Sequence, residues 1–122
     1  MRILITGSRR WSDRYIVESV IHFYTVGMSE HITFVVGDCP TGVDSFISDI
    51  AARIPGTSVE EYKADWYEHG KAAGPIRNAA MVASGANVCL AFIFGESRGT
   101  RDCIKRAVDA KIKTIVTQLI QP

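Results

Sequence analysis

The chain opens Met1-Arg2-Ile3-Leu4-Ile5-Thr6-Gly7-Ser8-Arg9, and this stretch decides the fold. An aliphatic run closed by a glycine fits a strand over residues 2–6 that is buried on both faces, as in a parallel sheet. Ligands of such sheets sit beyond the carboxyl ends of the strands, where strand order reverses. Gly7-Ser8-Arg9 would set a pliant backbone, a hydroxyl and a guanidinium at that place.

Outward from this strand, apolar runs and helical periods alternate. A helix over 13–28 carries Ile16, Val17, Val20, Ile21 and Tyr24 on one face. A strand over 31–36 stops at Gly37-Asp38-Cys39-Pro40-Thr41-Gly42. The helix over 42–54 has the clearest 3.6-residue period (Val43, Phe46, Ile47, Ile50, Ala51, Ile54) and ends at Pro55-Gly56. Residues 58–62 alternate Val59 and Tyr62 with charges, which suits a sheet edge, and a polar loop is expected over 63–70. A helix over 74–84 takes Pro75 in its first turn, where a missing N–H costs nothing. The almost wholly apolar strand over 87–94 must be central, and it ends at Gly95-Glu96-Ser97-Arg98-Gly99-Thr100. A helix over 100–110 and a strand over 113–117 complete an α/β domain. The expected sheet is five-stranded, mainly parallel and doubly wound with helices on both faces, in order 3-2-1-4-5, the switch point falling between Gly7 and Gly95.

The chain has 122 residues, enough for one domain with one core. Its 14 basic and 13 acidic side chains leave a net charge of +1, which gives no global attraction for nucleic acid or an anionic membrane. Cys39, Cys89 and Cys103 form no CxxC pair and do not share metal-ligand spacing with His22, His31 and His69. A reduced, cytoplasmic protein with no metal and no resident cofactor is expected, since no signal layout or membrane-length apolar run occurs.

Glycine-rich turns follow strands 1, 2 and 4, so all three should share one rim. Backbone N–H groups at helix starts reached through glycines bind anions, phosphate above all. Gly42 and Gly99-Thr100 open such helices, and Arg9, Arg77 and Arg98 could add bidentate contacts. Neither GxGxxG nor GxxxxGK[ST] occurs. Thr41 and Asp44 also fit a capping-box variant. Trp66, Tyr67 and Trp11 are each open to base stacking or to a structural role.

Gly7-Ser8-Arg9 with Trp11 and Asp13, Gly37-x4-Gly42-Val43-Asp44, Ala64-Asp65-Trp66, Ala73-Gly74-Pro75-Ile76-Arg77-Asn78-x2-Met81 and Phe94-Gly95-x3-Gly99-Thr100-x-Asp102 together resemble the small, YpsA-related (YAcAr) members of the SLOG superfamily. The resemblance implies a Rossmann-like domain that binds a nucleotide or nucleotide-derived signal, as a sensor or a sequestering protein. The superfamily also includes LOG-type phosphoribohydrolases, to which the chain is similar at Arg77 and Met81, with Asn78 in place of their lysine. Their phosphate turn keeps Gly95, Gly99 and Thr100 here, while Asp102 and Cys103 stand at its two glutamates. An N-glycosidic hydrolase is therefore the alternative, and a nucleic-acid-processing accessory protein the third.

Rim and resemblance together single out Gly7, Ser8, Arg9, Gly37, Asp38, Thr41, Gly42, Asp44, Arg77, Asn78, Gly95, Arg98, Gly99 and Thr100 as ligand-binding candidates. For an enzyme, Asp102 and then Asp44 would act on the oxocarbenium-like transition state, and Arg77 would orient phosphate or ribose. Ile76 and Ala80 would pack on the sheet or pair the chain with a second copy of itself.

Overall fold

A computed structural model of the chain describes residues 1–120. Five strands, β1 (Arg2–Gly7), β2 (Ile32–Gly37), β3 (Thr57–Tyr62), β4 (Val88–Phe94) and β5 (Lys113–Leu119), form one sheet in order β3-β2-β1-β4-β5. Every pairing is parallel, with Leu4 facing Val35 on one side and Cys89 on the other. The expected order is the observed one, and β1 and β4 flank the switch point.

Period-two alternation sorts the strand side chains into two layers. Ile3, Ile5, Phe34, Val36, Leu90 and Phe92 point to one face, where they meet Val17 and Ile21 of α1 (Arg14–Thr25) and Val43 and Ile47 of α2 (Val43–Ala52). Leu4, Val35 and Cys89 point to the other face, against Met81 of α4 (Ala73–Ala83) and Cys103 and Ala107 of α5 (Arg98–Asp109). Each fully buried aliphatic side chain contributes about 1.5–3 kcal/mol. Two helices on each face, joined to the sheet by parallel crossovers, leave the carboxyl ends of β1, β2 and β4 pointing the same way.

Local chemistry sets the helix ends. The Asp13 carboxylate accepts from the Ile16 N–H at 3.2 Å and starts α1. That helix stops at Thr25, short of the expected residue 28, because Val26 turns extended and Gly27 takes φ +80°. Ser97 adopts a left-handed conformation and begins α5 at Arg98, two residues before the expected start.

The expected loop over 63–70 is instead a short helix, α3 (Trp66–His69), running through a 3-10 turn (Gly70–Ala72) into α4. Its N-cap is Asp65, whose carboxylate accepts from the Glu68 N–H at 2.9 Å. Neither α3 nor the turn buries a residue. Trp11, only 1% exposed, lies edge-on to Phe92 and donates its indole N–H to the Asp13 carbonyl, so it belongs to the core and is closed to any base. Ile76 and Ala80 both face outward from α4 and do not pack on the sheet.

Candidate functional site

A cleft of about 700 Å³ opens at the switch point. Thr6 and Gly7 from the end of β1, Gly37 from β2 and Phe94 from β4 form its base. Segments far apart in sequence meet there. Gly42, at φ +73°, presses against the Ser8 carbonyl and the Arg9 backbone, so close that a Cβ would overlap both. The turn after β2 is thus locked onto the turn after β1. A second lock joins β1 to β4: Ser8 donates its N–H to the Phe92 carbonyl at 2.9 Å, and its hydroxyl exchanges hydrogen bonds with the N–H and carbonyl of Phe94. Ser8 is 4% exposed. Its hydroxyl is spent on holding the rim together.

Across the floor runs a chain of polar contacts. Arg77, on α4, donates from Nη1 to Asp38 Oδ1 at 3.0 Å and from Nε to Asn78 Oδ1 at 3.0 Å. Asn78, 3% exposed, donates in turn to the Gly99 carbonyl at 3.1 Å and to Asp102 Oδ2 at 3.0 Å. Arg106 donates to the same Asp102 oxygen at 3.0 Å. Gly37 makes this arrangement fit, because a Cβ there would lie 2.6 Å from Arg77 Nη1 and 2.8 Å from Asp44 Oδ2. A buried polar side chain without its partners would cost about 1–3 kcal/mol, so the network fixes Arg77, Asn78 and Asp102 in place.

Asp44 lies beside this network and accepts from the Cys39 N–H at 3.3 Å. Burial raises its carboxyl from the ordinary 3.8 to about 6, against the opposing pull of that N–H and of the Arg77 guanidinium, while Asp38 and Glu61 push the same way as burial. The Thr41–Asp44 capping box does not form: Gly42 is the N-cap of α2, and no side chain caps it. Burial also pushes the Cys89 thiol up to about 12 and the Cys103 thiol to about 11, so neither is a ready nucleophile.

The first amides of α5, from Arg98, Gly99 and Thr100, have no side-chain cap, because the Ser97 hydroxyl turns back to the Phe94 carbonyl at 2.9 Å. These residues line the cleft. So do Arg9, Arg10, Lys71, Arg77 and Arg98, five cations against the three carboxylates of Asp44, Glu96 and Asp102. A chain almost neutral as a whole therefore presents a locally basic cleft suited to an anion.

A family model described as YspA, cpYpsA-related SLOG family matches residues 1–69. The chain belongs to the YAcAr family. It is also 42% identical over 118 residues to the Gene 61 protein of Mycobacterium phage D29, an alignment that covers 93% of this chain and 94% of that one. No solved structure matches it. The YAcAr match takes in the turns after β1 and β2 and stops before Arg77. The phage relative, covering nearly the whole chain, reaches past that boundary.

Of the sequence candidates, Gly7, Ser8, Arg9, Gly37, Asp44, Arg77, Asn78, Arg98, Gly99, Thr100 and Asp102 line the cleft. Asp38, Thr41, Gly42 and Gly95 do not. Asp38 acts behind the wall as the partner of Arg77, and Gly42 is buried against Ser8, while Thr41 is exposed. Gly95 supplies a φ of +71° to the turn after β4. Arg10, Lys71 and Ser97 are lining residues that the sequence reading passed over. Arg10 adjoins a flagged residue, but nothing local marks Lys71, which the α3 fold alone brings to the mouth. Among the described residues no cluster of metal-ligating side chains occurs, and no helix is long and apolar enough to cross a membrane.

Proposed function

We propose that the cleft binds a nucleotide or nucleotide-derived signal through its phosphate, making the protein a sensor or a sequestering protein. The uncapped amino terminus of α5 carries this reading: three amides and a helix dipole meet a basic cleft with no protein anion in the first turn of the helix. A cleft of about 700 Å³ also lies within the usual range for small-molecule sites, about 300–1,000 Å³. Membership of an SLOG family supports a nucleotide-related role.

Titration with ribonucleoside monophosphates, ADP-ribose and inorganic phosphate, read by thermal shift and calorimetry, tests the proposal. Gly99→Asp places a carboxylate at the α5 amides, and a Cβ there meets nothing within 4 Å. The variant should stay folded and bind at least about tenfold more weakly, since each lost charge-assisted contact is worth about 1.5–3 kcal/mol. Failure of the entire panel to bind the wild type would refute the proposal.

One observation favours catalysis as a second reading. Asp44, titrating at about 6 beside Arg77, is poised for proton transfer near neutral pH, and Asp102 is a carboxylate already oriented by two donors. Cleavage of an N-glycosidic bond would suit that pair. Release of free adenine from AMP that falls at least a hundredfold in Asp44→Asn or Asp102→Asn would support it, and no release by the wild type would exclude AMP as a substrate.

A further inference from the structure

Trp66 contributes little to the fold. It is 48% exposed on a helix that buries no residue, whereas the other tryptophan, Trp11, is 1% exposed. It nevertheless lines the cleft. Its indole edge rests over Gly74 of α4, where a Cβ would stand in ordinary contact with the ring at 3.5 Å. The segment carrying it is tied down at both levels. Asp65 caps α3, and the Ala64 N–H points to Asp38, the partner of Arg77, at 3.5 Å.

Arg9 lies over the indole, with its guanidinium carbon 5.6 Å from the ring centroid. Among the described residues Arg9 donates no hydrogen bond and forms no ion pair, so little holds it there. A flat, delocalised cation over an aromatic face occupies the position that a heteroaromatic ring takes when it stacks. Trp66 is thus a large, seated aromatic surface with a weakly held cover, in the same cleft as the α5 amides.

We infer that Trp66 is the base-recognition residue, so that the ligand must carry a nucleobase as well as a phosphate, the base stacking on the indole face that Arg9 now covers. This rests on the phosphate reading of α5. It separates nucleotides from sugar phosphates, which offer the same anion and no ring.

The test follows the full chain by calorimetry and tryptophan emission during titration with AMP, GMP, CMP, UMP, ribose 5-phosphate and inorganic phosphate. The tightest of the four monophosphates should bind about 5- to 150-fold more tightly than ribose 5-phosphate, the span of single base–aromatic stacks, and should quench emission. Trp66→Ala should bring that nucleotide to within about twofold of ribose 5-phosphate and leave the sugar phosphate unchanged; Trp66→Phe should keep most of the preference while losing the quench. Equal binding of nucleotide and ribose 5-phosphate by the wild type would overturn the inference while leaving the phosphate site intact. So would a Trp66→Ala variant that weakens both ligands equally, since that marks a role in placing α3 only. If no nucleotide, sugar phosphate or inorganic phosphate binds the wild type, the phosphate reading fails and this inference with it.

Discussion

Asp44→Asn should make the protein more stable at neutral pH, and less so as the solution becomes acidic. The Asp44 carboxyl is lifted from 3.8 to about 6 in the folded chain. Between those values the folded state holds a proton that the unfolded state has released, so stability falls as pH rises through the window. At roughly 1.4 kcal/mol for each pH unit, the charged carboxylate costs the fold about 3 kcal/mol above pH 7. Asparagine keeps an oxygen for the Cys39 N–H and never ionises. The stability gain of the variant should therefore be about 1 kcal/mol at pH 4.5 and grow to about 3 kcal/mol above pH 7. Urea unfolding of both proteins from pH 4.5 to 8.5 measures the difference directly, with equal m-values as the control for two-state behaviour. A difference that does not change with pH, or a variant less stable than the wild type at pH 8, would refute the reasoning. A residue kept at such cost is one expected to serve the cleft and not the core.

Gly42→Ala should destabilise the protein by about 2 kcal/mol or more in the same urea assay, because it combines a positive φ with a Cβ driven into the Ser8 carbonyl; an unchanged midpoint would show that the two turns are not locked. Glu60 titrates at about 2 instead of 4.5, held down by hydrogen bonds from Arg2 and Tyr62. The stability it contributes is complete above pH 4.5 and is lost as pH falls towards 2. With its side chain 39% exposed, solvent screening keeps that contribution to about 1 kcal/mol or less, and Glu60→Gln should flatten the acid limb of the melting curve; identical limbs would count against the pairing.

The sheet was legible because its strands are apolar runs whose glycine ends mark where they stop, and handed crossovers then leave few orders. Convergence of the three turns follows from that order alone. The helix α3 escaped detection because Trp66-Tyr67-Glu68-His69 buries no side chain and so shows no apolar period. The signal that could have found it is the spacing of Asp65 and Glu68, an acceptor side chain three residues before an acidic one. The same kind of spacing misled at Thr41 and Asp44. There the close packing of Gly42 on Ser8 set the helix start, and Asp44 turned to the Cys39 amide instead. Pairing of Arg77 with Asp38 spans 39 residues and depends on the bare backbone of Gly37, which no local pattern reveals.

The two halves of the cleft differ in how freely they can change. The turns after β1 and β2 are interlocked backbone to backbone, so that a Cβ on Gly42 would overlap Ser8 and Arg9, and Ser8 ties the first of them to the end of β4. The stretch through α3 and the 3-10 turn buries nothing and is attached by a few hydrogen bonds. Descendants of this chain can therefore reshape the mouth of the cleft by altering residues 66–72 without reopening the question of whether they fold. On the proposed reading of the cleft, diversification of ligand choice should run along that short stretch, while the amides of α5 stay as they are.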